Sequence, residues 1–211
     1  MIFAERNSLF WSFFRAFPFF YLIFLFITGF SIPNEKYNLY EAYFYIFTEI
    51  INASLKSIFQ KIYQNFDILD LPIIGRGLRP IGANNCGFLL NSNIDISKTF
   101  GMPSGHSQFA WTFASISILK IIHENSNIIN KNRNKTNNIN KIFRITFIIL
   151  FASLSSYARV SVENCHTTGQ VIVGALFGII LGYVGFNLLY NNNYNKNIDF
   201  VKNNTFNKSL I

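Results

Sequence analysis

The stretch FFRAFPFFYLIFLFITGFSIP, Phe13–Pro33, decides the fold class. Its apolar run, about Phe13 to Ile32, is long enough as a helix to cover about 30 Å, the thickness of a bilayer's hydrocarbon core. Arg6 and Arg15 sit before most of it, as basic residues do in a signal peptide. The apolar part is long, however, and no clear small-x-small cleavage site follows, so the run reads as a retained membrane helix. The composition agrees. Of 211 residues half are hydrophobic, 25 are Phe and only 13% are charged, against about 25% in a soluble domain. The length points to one domain.

Four more apolar runs follow. Leu39–Phe59, LYEAYFYIFTEIINASLKSIF, is the weakest, because it carries Glu41, Glu49 and Lys56. It is either a span whose charges face a bundle interior or an amphipathic helix lying at the interface. Residues 107–122, 142–157 and 170–190 are the others. The pattern predicts an all-α, integral-membrane helix bundle with about five transmembrane helices. Residues 1–62 would hold the N-terminal helices, 63–190 a core, and 191–211 a polar, disordered tail. The Asn-rich tracts at 125–140 and 191–207 read as loop and tail without further function.

The formal charge of +8 is spread among Asn residues and gathers into no stripe. That speaks against a nucleic-acid partner and fits loops flanking membrane helices. Cys86 and Cys165 have no metal-ligand spacing; whether they form a disulfide stays open.

The order of runs brings three polar segments to one face. The third run starts at TFGMPSGHSQFAW, Thr99–Trp111. The fourth ends at Arg159, and the fifth starts just after His166. The segments around His106, Arg159 and His166 therefore emerge together, and the Asn-rich loop and the tail emerge opposite. His123, at the far end of its run, reads as a loop residue. The shared face also receives Arg76 and Arg79 of RGLRP, and Ser104 with Gly105 at a helix start. Guanidinium forks suit phosphate oxygens, and a helix N-terminus favours an anion. Two histidines suit a two-step phosphoryl transfer, one as nucleophile and one as general acid. Asp95 and Glu163 look isolated, so the pattern predicts no metal and no cofactor. Each residue taken singly has a plainer explanation, as a headgroup contact, a cap or a loop residue. Their arrival on one face outweighs it. The glycines of GQVIVGALFGIILG are read as helix-packing positions.

The segments LRP, PSGH and ARVSVENCH resemble the three signature segments of the type 2 phosphatidic acid phosphatase (PAP2) superfamily, over roughly Leu71 to Tyr190. The resemblance implies that Arg79 and Arg159 hold phosphate oxygens, with Ser104 and the Gly105 N–H. It implies that His166 attacks phosphorus, and that His106 protonates the leaving oxygen and then activates water. Three positions depart from the pattern. Pro72 stands where the first segment has a lysine, for which Arg76 would have to substitute. Ala158 replaces a serine. Gln170 stands where the family has the Asp that orients the nucleophile.

Gln170 is also a pointer. HTTGQV, His166–Val171, and GMPSGHSQFAW, Gly101–Trp111, are similar to the corresponding segments of the dolichyldiphosphatase branch. The resemblance implies polyisoprenyl diphosphate as substrate, membrane lipids as surroundings, and a place in the endoplasmic reticulum. Lys131, Arg133, Lys135, Lys141, Lys196, Lys202 and Lys208 lie on the face opposite the histidines, which the positive-inside rule makes cytosolic. The histidines would then face the lumen. Arg6 and Arg15 argue mildly the other way, and Asn134, Asn203 and Asn207 head glycosylation sequons on the face assigned to the cytosol. Three readings stand on this evidence: a polyisoprenyl diphosphate phosphatase, a phosphatidate or other lipid-phosphate phosphatase, and an inactive lipid-phosphate-binding membrane protein.

Overall fold

The computed structural model describes residues 9–32, 35–65, 77–81, 83, 100–127 and 135–191. Among them there is no strand, and five helices follow in order: α1 Leu9–Ser31, α2 Lys36–Asn65, α3 Gly105–Asn127, α4 Lys135–Tyr157 and α5 Thr168–Phe186. Two π-helical segments, Ala158–Val162 and Asn187–Asn191, continue α4 and α5. The chain is an all-α membrane helix bundle. The predicted runs are all helical, and each helix extends past its apolar run. The last one reaches Asn191, into the stretch assigned to the tail. His123 lies on α3, not in a loop, with its ring 5.7 Å from that of Phe186. Arg6, Pro72, Arg76, Cys86, Asp95, Lys131, Arg133, Asn134, Lys196, Lys202, Asn203, Asn207 and Lys208 lie outside the described residues.

By length and composition three helices can cross a membrane: Leu9–Ser31, Asn138–Val162 and Thr168–Tyr190. The other two, α2 with 30 residues and α3 with 23, would be about 45 Å and 35 Å long. Their hydropathy is lower because their inward faces are polar. Glu41, Thr48 and Asn52 of α2 and Ser107, Gln108 and Thr112 of α3 are all buried. Gln108 binds Asn52 Nδ2 through Oε1 at 2.9 Å and donates to the Thr48 carbonyl at 2.8 Å. Glu41 accepts from Lys120 at 2.6 Å, from Tyr21 at 3.0 Å and from Tyr190. Glu41 of α2 thus faces protein, which is how an intramembrane charge is accommodated in a bilayer. Outward positions such as Phe20, Ile50, Phe143 and Ile180 are exposed apolar residues.

The central contact joins α3 to α5. Gly174, Gly178 and Gly182 lie on one face of α5 at intervals of four. A Cβ at Gly174 would stand 2.5 Å from the Ser104 carbonyl oxygen. At Gly178 it would stand 2.4 Å from the Gln108 oxygen, and at Gly182 2.5 Å from Ser115 Cβ. Backbone lies on backbone here, as small residues permit in lipid, where no hydrophobic force draws helices together. The contact sets the start of α5 beside the start of α3, where Ser104 N–H donates to the Gln170 carbonyl at 3.1 Å.

Gly178→Ala is expected to lower the thermal unfolding midpoint clearly, at a cost of about 1–3 kcal/mol, because the Gln108 carbonyl cannot move aside without shifting α3. Ile180→Ala, on the lipid-facing side of the same helix, should stay within about 0.5 kcal/mol of wild type. Unfolding of both variants in the same detergent decides the matter; equal midpoints would remove the backbone contact from the account.

Candidate active site

The end of α4 builds the first wall. Its π-helical segment is followed by a reversal in which Glu163 N–H donates to Ala158 O, and Cys165 and His166 N–H both donate to Arg159 O. Asn164 takes a left-handed φ of 50°, which its short polar side chain tolerates. Cys165 is disulfide-bonded. The curl carries Arg159, Glu163 and His166 inward, all buried.

Glu163 is not isolated, contrary to the sequence expectation. Its Oε2 accepts from Arg159 Nη1 at 2.5 Å and its Oε1 from Arg15 Nε at 2.7 Å. Arg15 is likewise no flanking charge. It lies inside the bundle, so its weight in the topology argument is lost. One carboxylate between two guanidiniums leaves the trio with one net positive charge. Arg159 Nε and Nη2, with Ser104 Oγ, are buried and have no hydrogen-bond partner among the described residues.

Gln170 fixes the second wall. A capping box at the start of α5 places it: Thr167 Oγ1 accepts from Gln170 N–H, and Gln170 Oε1 from Thr167 N–H. Its amide nitrogen donates to the Leu78 carbonyl at 2.6 Å, which identifies Oε1 as the end facing His166 Nδ1 at 3.0 Å. His166 Nδ1 is therefore the donor and Nε2 carries the lone pair. Arg79 Nη1 lies 3.4 Å from that Nε2 and donates to the Cys165 carbonyl at 3.0 Å. Gly101 makes room for the amide; a Cβ there would come within 2.5 Å of Gln170 Oε1. Gly77, with φ of +70°, starts the turn that brings Leu78 and Arg79 across and is tied to Gly101 N–H at 3.1 Å.

The start of α3 is the third wall. His106 Nε2 lies 3.2 Å from the Arg15 carbonyl oxygen and donates to it. Other residues of GMPSGHSQFAW are architectural. Ser107 donates to Val171 O at 2.8 Å, Gln108 holds α2, and Trp111 Nε1 donates to Ser156 Oγ at 3.1 Å. The structure thus brings together His106, His166, Arg79, Arg159, Ser104, Gly105 and Gln170. Arg76 lies outside the described residues.

Two residues escaped the sequence reading. Arg15 was hidden because its partners are far along the chain. Lys56 was read only as one of the charges that weaken the second apolar run. Lys56 lies on α2, and its charge acts on His106 and His166. Asn52, one turn earlier, lies against Gly105, where a Cβ would be 3.2 Å from its Oδ1. Among the described residues no three His, Cys, Asp or Glu side chains form a metal-ligating group.

Burial, and next the charge of Arg79, push the His166 pKa down to about 3, with Arg159 and Lys56 adding to the shift and the Gln170 hydrogen bond opposing it. The imidazole is neutral at neutral pH. Burial also lowers the pKa of Arg79.

Comparison with known proteins gives two findings. The family model described as the PAP2 superfamily matches residues 39–194. Dolichyldiphosphatase 1 of Dictyostelium discoideum is similar over 92 residues at 32% identity, covering 44% of this chain and 37% of the relative. The similarity therefore takes in little more than a third of that relative's length. No solved structure matches the chain significantly.

At pH 5, ¹⁵N NMR of histidine-labelled protein should show His166 still neutral, with its proton on Nδ1. A free imidazole, of pKa near 6.5, would be mostly protonated there. The same shift affects stability. The unfolded chain binds this proton below about pH 6.5 and the folded chain not until about pH 3, so His166's contribution is intact above 6.5 and is lost as pH falls through that window. A His166 signal titrating near 6.5 would overturn this.

Proposed function

The chain belongs to the PAP2 superfamily, and we propose that within it this protein is a membrane-bound phosphatase that hydrolyses polyisoprenyl diphosphate, of the dolichyl type, to the monophosphate. The observation that carries the reading is a set of buried donors without a partner among the described residues, Arg159 Nε and Nη2 and Ser104 Oγ, around a histidine whose Nε2 lone pair is turned to Arg79. Such donors fit phosphate oxygens. The dolichyl assignment is supported by the Dictyostelium relative's name and by the segments GMPSGHSQFAW and HTTGQV.

On this reading His166 Nε2 attacks the terminal phosphorus in line with the bridging oxygen. The P–O bond breaks as the P–N bond forms, and His106 gives a proton to the leaving lipid monophosphate. His106 then takes a proton from water, which attacks the phosphohistidine and releases inorganic phosphate. Arg79, Arg159, Ser104 Oγ and the Gly105 N–H stabilise the charge on the transferring group, with Lys56 as a further cation. Burial, and next the charge of Arg159, hold the His106 pKa well below the usual imidazole range; the Arg15 carbonyl, as acceptor, opposes that shift and so supports the protonated form the transfer needs, and Gln170 keeps the His166 proton on Nδ1. The site faces the lumen of the endoplasmic reticulum. The basic loop and tail support that orientation, and Arg15 no longer argues against it.

The deciding assay is phosphate release from dolichyl diphosphate and from phosphatidate by the purified protein with EDTA present. The diphosphate should be preferred, and the chelator should change nothing. His166→Ala and His106→Ala should each lose at least about 10³-fold in turnover. Magnesium-dependent turnover, or near-normal activity of the His166 variant, would refute the phosphohistidine route.

Gln170→Asp separates this reading from that of a decayed phosphatidate phosphatase. The carboxylate cannot donate to the Leu78 carbonyl, and the orphaned acceptor costs about 1–3 kcal/mol. Diphosphatase activity should fall. A large gain, above all on phosphatidate, would favour the decayed enzyme.

A further inference from the structure

A groove of about 490 Å³ lies between α1, α3 and α4. Phe13, Phe14 and Phe17 of α1, Phe113 of α3, and Phe151 and Leu154 of α4 are among its lining residues, and the lining is wholly apolar. Phe151 is the hub. Its ring centroid is 4.6 Å from that of Phe17, edge to face, and 5.0 Å from that of Phe14. Phe17 in turn meets Phe113 edge to face at 5.2 Å. Rigid rings, not flexible aliphatic chains, shape most of the walls.

Phe14 of this groove clusters with Ala158, the residue before Arg159, and Phe151 packs against the pair. Phe14 precedes Arg15, whose carbonyl accepts from His106 and whose guanidinium binds Glu163. Leu154 stands five residues before Arg159, about 7.5 Å along the helix, and Phe113 seven after His106, about 10 Å. The apolar chain of a lipid phosphate held by Arg159 begins at the leaving oxygen and must enter the hydrocarbon within this distance. A polyisoprenyl phosphate has one chain, whereas a phosphatidate divides into two at the glycerol. A single groove walled by edge-to-face rings suits one chain whose methyl branches and double bonds pack between rings.

We propose that this groove binds the isoprene units next to the phosphate and so selects the substrate by its chain. The inference rests on the polyisoprenyl-phosphatase reading and adds a tail site to it. α1, which supplies half of the residues named, lies outside the stretch matched by the family model.

The test uses the full chain in lipid nanodiscs and a farnesyl methylenebisphosphonate carrying a diazirine on the first isoprene unit. Adducts should concentrate in residues 10–17 and 147–154, and unlabelled farnesyl methylenebisphosphonate should displace them. Leu154→Trp fills the groove from a partly exposed wall position and should weaken the probe's apparent affinity roughly tenfold, about 1.4 kcal/mol. Leu154→Ala, which leaves the groove open, should still be labelled there. Adducts scattered over the lipid faces of α2 and α5, adducts that competitor does not displace, or unchanged affinity in a folded Leu154→Trp protein would overturn the proposal. If Leu154→Trp fails to fold, the wild-type adduct map and its displacement decide alone. Phosphate release from farnesyl diphosphate is measured separately. Labelling of the groove without turnover would remove the phosphatase reading and keep the tail site; turnover with adducts elsewhere would do the reverse.

Discussion

The backbone contact between α3 and α5 is the constraint on which the other arrangements rest. Lipid does not drive apolar helices together, so their approach depends on close van der Waals fit. Gly174, Gly178 and Gly182 let α5 lie on the carbonyls and side chains of α3 at distances that a single Cβ would forbid. This sets the starts of the two helices side by side. Ser104 then reaches the Gln170 carbonyl and Ser107 the Val171 carbonyl, and both histidines come to the same end of the bundle.

Charge at the site is held under strict pairing. Arg159 and Glu163, at 0% and 1% exposure, would each cost several kcal/mol to bury alone. Glu163 pairs with Arg159 and Arg15 at once, so the trio keeps a positive charge and Arg159 keeps two donor nitrogens without a partner among the described residues. A carboxylate matched to a single arginine would have neutralised the place. Gln170 acts by geometry, not by charge. Its amide is anchored on Leu78, its oxygen sets the His166 tautomer, and burial keeps that imidazole neutral. A neutral, buried ring whose lone pair faces Arg79 is prepared to meet an anion.

The bundle sorts polarity in the opposite sense to a soluble domain. Its outward surface is Phe, Ile and Leu, while Glu41, Gln108, Asn52 and Thr48 are inside and hydrogen-bonded. In lipid an unpaired polar group has no water to turn to. The hydrogen bonds from Gln108 of α3 to Asn52 and Thr48 of α2 help fix how α2 docks. That docking brings Lys56 to the histidines.

Much was legible in the sequence, because it rests on local order. Apolar length identified the helices, and the alternation of runs put three polar segments on one face. The spacing of Arg159, His166 and Gln170 is local to one helix end and its cap, so it could be read directly. What stayed hidden depends on partners distant along the chain. Arg15 and Glu163 are separated by 148 positions and Gln170 and Leu78 by 92, and no periodicity links such pairs. Lys56 was obscured because it lies on α2, far along the chain from the histidines its charge acts on. His123 was misplaced because its apolar neighbours stop before its helix does. Sequence alone determined that this is a membrane helix bundle with arginines and histidines at one end. Only the tertiary structure decided which charges pair and which donors remain, because burial and pairing arise when helices from distant parts of the chain close on one another.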